Sequence, residues 1–230
     1  MVAAIIAAAG KGMRMQKTSP KQYLMLAGLP ILTHTLLVFS NCDLINQILL
    51  VIPPDDFDFC QKNILTFERL IPRKIRLVRG GDRRQDSVFN GLSEVEAGCS
   101  IVVIHDGVRP FVKIDQVAAC IDGARKFGAC ILGVPADDTI KYVDASGRIN
   151  QTLKRDNIWL AQTPQAFRYD LIKKAHERAQ QDGYAATDDA SIVERLGHAV
   201  TIIGGSRINI KITNREDLKI AECLLHMVGS

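Results

Sequence analysis

The chain has 230 residues, of which 47% are hydrophobic and 23% charged, close to the average for a soluble globular protein. Twenty-nine Lys and Arg against 25 Asp and Glu leave a formal net charge of +4, which excludes an acidic tail and a strongly basic nucleic-acid binder. At ~150 residues per domain the length allows one large domain or two small ones. With no linker, repeat or low-complexity tract, one domain over residues 1–230 is expected.

Residues 2–8 are an uninterrupted apolar run, and similar runs recur at 47–52, 75–78, 101–104 and 129–134. Runs apolar on both faces fit strands of a covered, mostly parallel sheet. The first run resembles a signal core, but it lacks a basic leader and glycines and lysines follow it. Residues 22–42 carry no acidic residue, Lys or Arg over a bilayer-spanning length. Gln22, Gly28, Pro30, His34 and Asn41 would make such a span costly, so the stretch reads as strand, turn and buried helix. No membrane association is expected, and a cytoplasmic location is.

Between the runs lie helical patterns. Val88, Leu92 and Val95 fall at i, i+4, i+7, and Ile114, Val117, Ala118 and Ile121 at i, i+3, i+4, i+7. Asn214 can cap a last helix with an apolar stripe through Leu218, Ala221 and Leu225. The alternation predicts a doubly wound three-layer α/β/α sandwich, Rossmann-like, with a mostly parallel sheet. It breaks once, where residues 140–143 and 148–153 flank the turn Asp144-Ala145-Ser146-Gly147. This reads as a projecting β-hairpin arm at about 137–157. A hairpin alone is marginal in water, so a second subunit is its simplest support and a homodimer is expected.

Six cysteines form no C-x-x-C and mostly sit in apolar stretches, where thiols pack as small hydrophobes. A disulfide framework is not expected. The five histidines form no H-E-x-x-H, so no zinc site is expected either.

The strongest chemical signal follows the first strand. Ala8, Ala9, Gly10 and Gly12 offer little side-chain bulk, so a ligand can reach their backbone. Lys11, Arg14, Lys17 and Lys21 then bring four cations with no acidic residue between them. In open α/β sheets ligands bind beyond the carboxyl ends of the strands, and these residues suit phosphate there. The segment is neither a P-loop, because Gly12 follows Gly10-Lys11, nor a dinucleotide fingerprint, because Met15 stands where the third glycine is needed. A basic surface turn is the plainer alternative. Asp106, in His105-Asp106-Gly107-Val108-Arg109-Pro110, ends the run at 101–104. A carboxylate there suits Mg²⁺, which is usually held by one or two carboxylates plus substrate phosphates. Arg109 can pair with those phosphates or hold Asp106. Residues 79–87, Arg-Gly-Gly-Asp-Arg-Arg-Gln-Asp-Ser, read either as a ligand-facing loop or as a solvated charged face. Residues 208–212 alternate as a strand with Lys211 on the polar face, where a lysine is ordinarily only solvated.

There is no G-x-S-x-G elbow and no His spacing that suggests a nucleophile–base pair. Nucleotidyl transfer to a phosphate needs neither. The attacking oxygen is already anionic, and the protein's work is positioning and charge stabilisation.

The segments AAAGKGMRM…PKQY, GGDRRQDSV, HDGVRPF, Thr163-Pro164-Gln165, Thr187-Asp188 and NIKIT together resemble the 2-C-methyl-D-erythritol 4-phosphate cytidylyltransferase family, in family order from residue 7 to 213. The resemblance implies a magnesium-dependent reaction of the non-mevalonate isoprenoid pathway, in which CTP and methylerythritol phosphate give the CDP-alcohol and pyrophosphate. It implies that Arg14 and Lys21 steady the α-phosphorus. Ala8, Ala9, Gly10, Gly12, Gly81, Asp82, Ser87 and Asp106 would bind the nucleotide, with Asp106 also the metal ligand. Arg109, Thr139, Arg155, Thr163, Thr187 and Lys211 would surround the acceptor, Arg155 and Lys211 orienting its phosphate. It also implies that the arm embraces a second subunit and carries its arginine to the neighbour's site. Some relatives have Asp where Ile208 stands, so Asp106 is expected to act without a second carboxylate. Some are fused to a cyclodiphosphate synthase, and with the chain ending at Ser230 only the transferase is expected. The alternatives are a ribitol 5-phosphate or related polyol-phosphate cytidylyltransferase, a sugar-phosphate nucleotidyltransferase of another base, and a non-catalytic nucleotide sensor.

Overall fold

The computed structural model describes residues 1–10, 20–71 and 74–228. Its first strand, β1 (Val2–Ala7), is apolar on both faces because both are covered. Ala4 and Ile6 belong to one buried cluster, Ala3 and Ile5 to another. A small antiparallel pair, β2 (Met25–Leu26) and β3 (Leu29–Pro30), leads into α1 (Ile31–Ser40). Then come β4 (Gln47–Ile52), α2 (Phe57–Asn63), β5 (Ile75–Arg79), α3 (Arg84–Ser93), β6 (Ile101–Asp106), α4 (Ile114–Phe127) and β7 (Ala129–Pro135). The arm is β8 (Ile140–Val143) and β9 (Ile149–Leu153), paired only with each other. The chain ends with β10 (Trp159–Arg168), α5 (Tyr169–Gln181), α6 (Asp189–Arg195), β11 (Thr201–Gly204) and α7 (Arg215–Val228).

Seven strands form one sheet in the order β11-β7-β10-β6-β1-β4-β5. Residues of α1, α2 and α4 join the first cluster, and those of α3, α5 and α6 the second. The three-layer α/β/α sandwich expected from the alternation is therefore present. The five expected strands lie where the apolar runs are, and the arm has its expected hairpin. No helix among the described residues is long and apolar enough to cross a membrane.

Three expectations need correction. The alternation breaks a second time, because β10 runs antiparallel between β6 and β7 at the middle of the sheet. Residues 208–212 are not a strand; the last strand is β11, at 201–204. The stripe of α4 runs through Val117, Cys120, Ile121 and Ala124, while Ile114 is exposed and Ala118 only half-buried. Asn214 does cap the last helix, its Oδ1 accepting from Asp217 N at 2.8 Å, and Ala221 is buried beside Leu218 and Leu225.

His105 on β6 is wholly buried against Phe39, ring centroids 4.8 Å apart, with Nε2 donating to the Arg109 carbonyl at 3.1 Å. Burial pushes its pKa from 6.5 down to about 4. Below pH 6.5 the unfolded chain takes up a proton that the folded chain refuses. The contribution is thus complete above that value and lost as pH falls towards 4, a loss of about 3 kcal/mol. Denaturant titrations at neutral pH and near pH 4.5 should show a smaller loss of stability in His105→Gln than in the unaltered chain. Equal losses would remove His105 as the source.

Candidate active site

The chain reverses strand order at β1, which pairs with β4 on one side and β6 on the other. Such a switch point leaves a crevice beyond the carboxyl ends of the two strands. Ala7 and Asp106, the last residues of β1 and β6, stand in register there. Backbone bonds fold the loops over this edge: Ala8 N donates to Val51 O, Gly107 N to Ala7 O and Gly80 N to Ile52 O, at 2.8, 2.9 and 2.8 Å. Gly80 lies so close that a Cβ there would collide with the Cβ of Ala9.

A pocket of about 210 Å³ opens at this edge. Ala8, Ala9 and Gly10 form its floor, with Lys21, Arg84, Ser87, Asp106 and Lys211 around it. Lys21 comes from a single helical turn, Lys21–Tyr23, whose Tyr23 hydroxyl donates to Asp56 at 2.9 Å and so ties the turn to the start of α2. Asp106 sits at the centre of the charge. Its Oδ1 accepts from Arg84 Nε at 3.0 Å; its Oδ2 is 2.8 Å from Lys211 Nζ and 3.6 Å from Arg109 Nε. Burial would raise the carboxyl pKa, but the charges of Arg84, Lys211 and Arg109 outweigh it and hold the group far below the usual range. The cations around the group favour its charged form and outnumber it.

Of the sequence-expected residues, Ala8, Ala9, Gly10, Lys21, Ser87, Asp106 and Lys211 meet in this pocket. Gly81 and Asp82 lie beside it on the loop before α3, Asp82 exposed, and Gly81 N donates to Ser87 Oγ at 3.0 Å. Thr163 on β10 supports Asp106 from behind, its Oγ1 accepting from Asp106 N at 3.1 Å. Arg109 is nearly buried and donates through Nη1 to the Asn209 carbonyl at 2.7 Å, so it fastens the segment carrying Lys211. Thr187 is exposed just before α6. Thr139 and Arg155 are exposed on the arm and do not line the pocket of their own chain; Arg155 Nη1 bonds the Asp137 carbonyl. Gly12 and Arg14 lie outside the described residues.

Two residues escaped the sequence reading. Arg84 is a pocket cation, and Asp189, on α6, is its second carboxylate partner at 2.7 Å. Tandem arginines gave no sign of which one turns inward, and Asp189 is 105 residues away.

Among the described residues no three His, Cys, Asp or Glu side chains gather as a metal cluster. Asp106 offers one carboxylate, already contacted by cations through both oxygens. This donor set fits magnesium only as an ion carried chiefly by a bound phosphate chain, with Asp106 as a single protein ligand.

A crevice at a switch point, a floor of small residues and a ring of cations suit the phosphates of a nucleotide, as an α/β nucleotidyltransferase requires. The family model for 2-C-methyl-D-erythritol 4-phosphate cytidylyltransferase (IspD) matches residues 2–227. The chain is 52% identical over 225 residues to the protein of that name from Syntrophus aciditrophicus, covering 97% of this chain and 95% of that one. To the one from Pelotomaculum thermopropionicum it is 45% identical, covering 97% and 94%. The solved 4-diphosphocytidyl-2C-methyl-D-erythritol synthase of Anaerococcus prevotii superposes with a TM-score of 0.85 at 33% identity, covering 98% of this chain and 96% of that one. The Thermus thermophilus 2-C-methyl-D-erythritol 4-phosphate cytidylyltransferase does so at 0.81 and 30% identity, covering 97% and 98%. The chain belongs to the 2-C-methyl-D-erythritol 4-phosphate cytidylyltransferase family.

Proposed function

We propose that this protein transfers the cytidylyl group of CTP to the phosphate of 2-C-methyl-D-erythritol 4-phosphate, releasing pyrophosphate, in isoprenoid precursor synthesis. The observation that carries the reading is the pocket itself: Lys21, Arg84 and Lys211 around a small-residue strand end, within the fold of this family. The family match does not favour the ribitol phosphate alternative.

The small residues 8–10 let the nucleotide lie against backbone, and the loop through Gly81, Asp82 and Ser87 receives the cytidine. Lys21, together with Arg14, offsets the charge that builds on the α-phosphorus as the acceptor oxygen attacks and pyrophosphate leaves. Lys211 directs the acceptor phosphate, while Arg109 and Thr163 keep Lys211 and Asp106 in place. A magnesium ion arriving with CTP would take Asp106 as its protein ligand and draw charge from the phosphates. No side-chain nucleophile is required, since the acceptor phosphate is the nucleophile. Pyrophosphate release with CTP, Mg²⁺ and each acceptor in parallel tests the reading. Turnover with ribitol 5-phosphate and none with methylerythritol phosphate would overturn it.

The arm supports a homodimer. Tyr142, Ile149 and Leu160 are 61%, 62% and 51% exposed, which is apolar surface for a second copy to cover. In that arrangement Thr139 and Arg155 serve the neighbour's site. Arg155→Ala and Lys21→Ala homodimers should each be nearly inactive, and subunits mixed by refolding should recover up to about a quarter of normal activity, because half the dimers then hold one intact site. No recovery would place Arg155 in its own chain's site. The cysteines are all free thiols, which suits the reducing cytoplasm.

A further inference from the structure

Arg84 begins α3 and lies between two buried carboxylates. Its Nε donates to Asp106 Oδ1 at 3.0 Å and its Nη1 to Asp189 Oδ2 at 2.7 Å. Asp189 is fully buried at the start of α6, and its other oxygen accepts from His176 Nε2 at 3.3 Å. His176 is itself fully buried on α5, with Phe89 of α3 stacked 6.4 Å from its ring. Burial would raise the Asp189 pKa, yet Arg84 and His176 hold it below the usual range.

A guanidinium has five N–H donors in a fixed fork. The two carboxylates take two of them, yet Arg84 still lines the pocket with 29% of its side chain open. The charges also leave a surplus. Among the ion pairs of this cluster, Arg84, Arg109 and Lys211 share two carboxylates, Asp106 and Asp189. A free arginine would lose much rotamer entropy on gripping an anion, and one already held at two points loses far less.

We propose that Arg84 is a further phosphate-binding residue, donating to the triphosphate of CTP, and that Asp189, braced by His176, is the positioning residue that holds it there. This rests on the CTP reading above. In this arrangement both residues act on the nucleotide and not on the acceptor. Asp189 does not line the pocket and acts only through Arg84.

The test is affinity for CTP and, by NMR titration, for cytidine, in the full-length protein and in Arg84→Gln, Asp189→Asn and the double variant. Arg84→Gln should weaken CTP by about 10- to 100-fold, the value of a charge-assisted bond or two, and leave cytidine within about twofold. Asp189→Asn should weaken CTP by at least about fivefold, and the double variant should be no worse than Arg84→Gln, because removing Arg84 leaves Asp189 nothing to position. Should Arg84→Gln not fold, Arg84→Lys keeps the charge without the fork and should still lose about threefold or more for CTP alone. Equal weakening of CTP and cytidine, losses that add, or unchanged CTP affinity in Asp189→Asn would overturn the proposal. CTP binding without pyrophosphate release by the unaltered protein would remove the transfer reading and leave this one standing; no CTP binding at all would remove both.

Discussion

Lys21→Ala is expected to lower kcat by about 10²–10³ while the CTP affinity changes far less, the cost of losing one charged donor aimed at a transition state. The asymmetry follows from place and timing. Arg84 and Lys211 already meet Asp106, and in the proposed reading the nucleotide's body lies against the backbone of residues 8–10. Lys21 enters the pocket from a separate turn, fixed by Tyr23 to Asp56, and in the proposed reading its charge acts chiefly on what develops during transfer. Steady-state kinetics at saturating acceptor, with a separate measurement of CTP binding, decides the matter. A variant that lost only affinity, with kcat intact, would move Lys21 out of the reacting centre.

Asp106→Asn is expected to destabilise the protein by about 3–5 kcal/mol, the usual cost of removing one member of a buried ion cluster. Asparagine keeps the shape and one hydrogen-bond acceptor but leaves Arg84, Arg109 and Lys211 facing one another, with Asp189 still paired to Arg84. CTP should then raise the melting temperature of the variant more than that of the unaltered chain, because the triphosphate restores the missing negative charge. A variant as stable as the parent, in denaturant titrations without ligand, would show that the three cations find other partners.

The sequence announces the strands whose environment is uniform. Residues 2–8, 47–52 and 101–104 are buried on both faces, so their composition alone marks them. β10 is hidden because its residues answer to several neighbours at once: Trp159 and Leu160 are exposed at the base of the arm, Gln162 and Thr163 are buried polar partners, and its register shifts between Ala161 and Gln165. A proline inside a central strand argues against the assignment that turns out to be right. Residues 208–212 mislead in the opposite sense. Ile210 and Ile212 alternate like a strand, yet they pack against the cluster of α7 and the segment 108–111, with Asn209 buried against Gln162 and Thr163. The pocket's floor and Asp106 were legible because they follow directly from strand ends. Arg84 was not, since what turns it inward is a pair of carboxylates 22 and 105 residues away.

The antiparallel insertion of β10 also dictates an order of assembly. The ribbon β5-β4-β1-β6 comes entirely from the first 106 residues and can zip up by successive right-handed crossovers. β7 then has no berth, because the slot beside β6 belongs to a segment ending at Arg168. Until the ribosome has released that segment, β6 presents a bare edge of unpaired backbone groups beside its apolar stretch 101–104, a period in which a nascent chain invites chaperones or sticks to its neighbours.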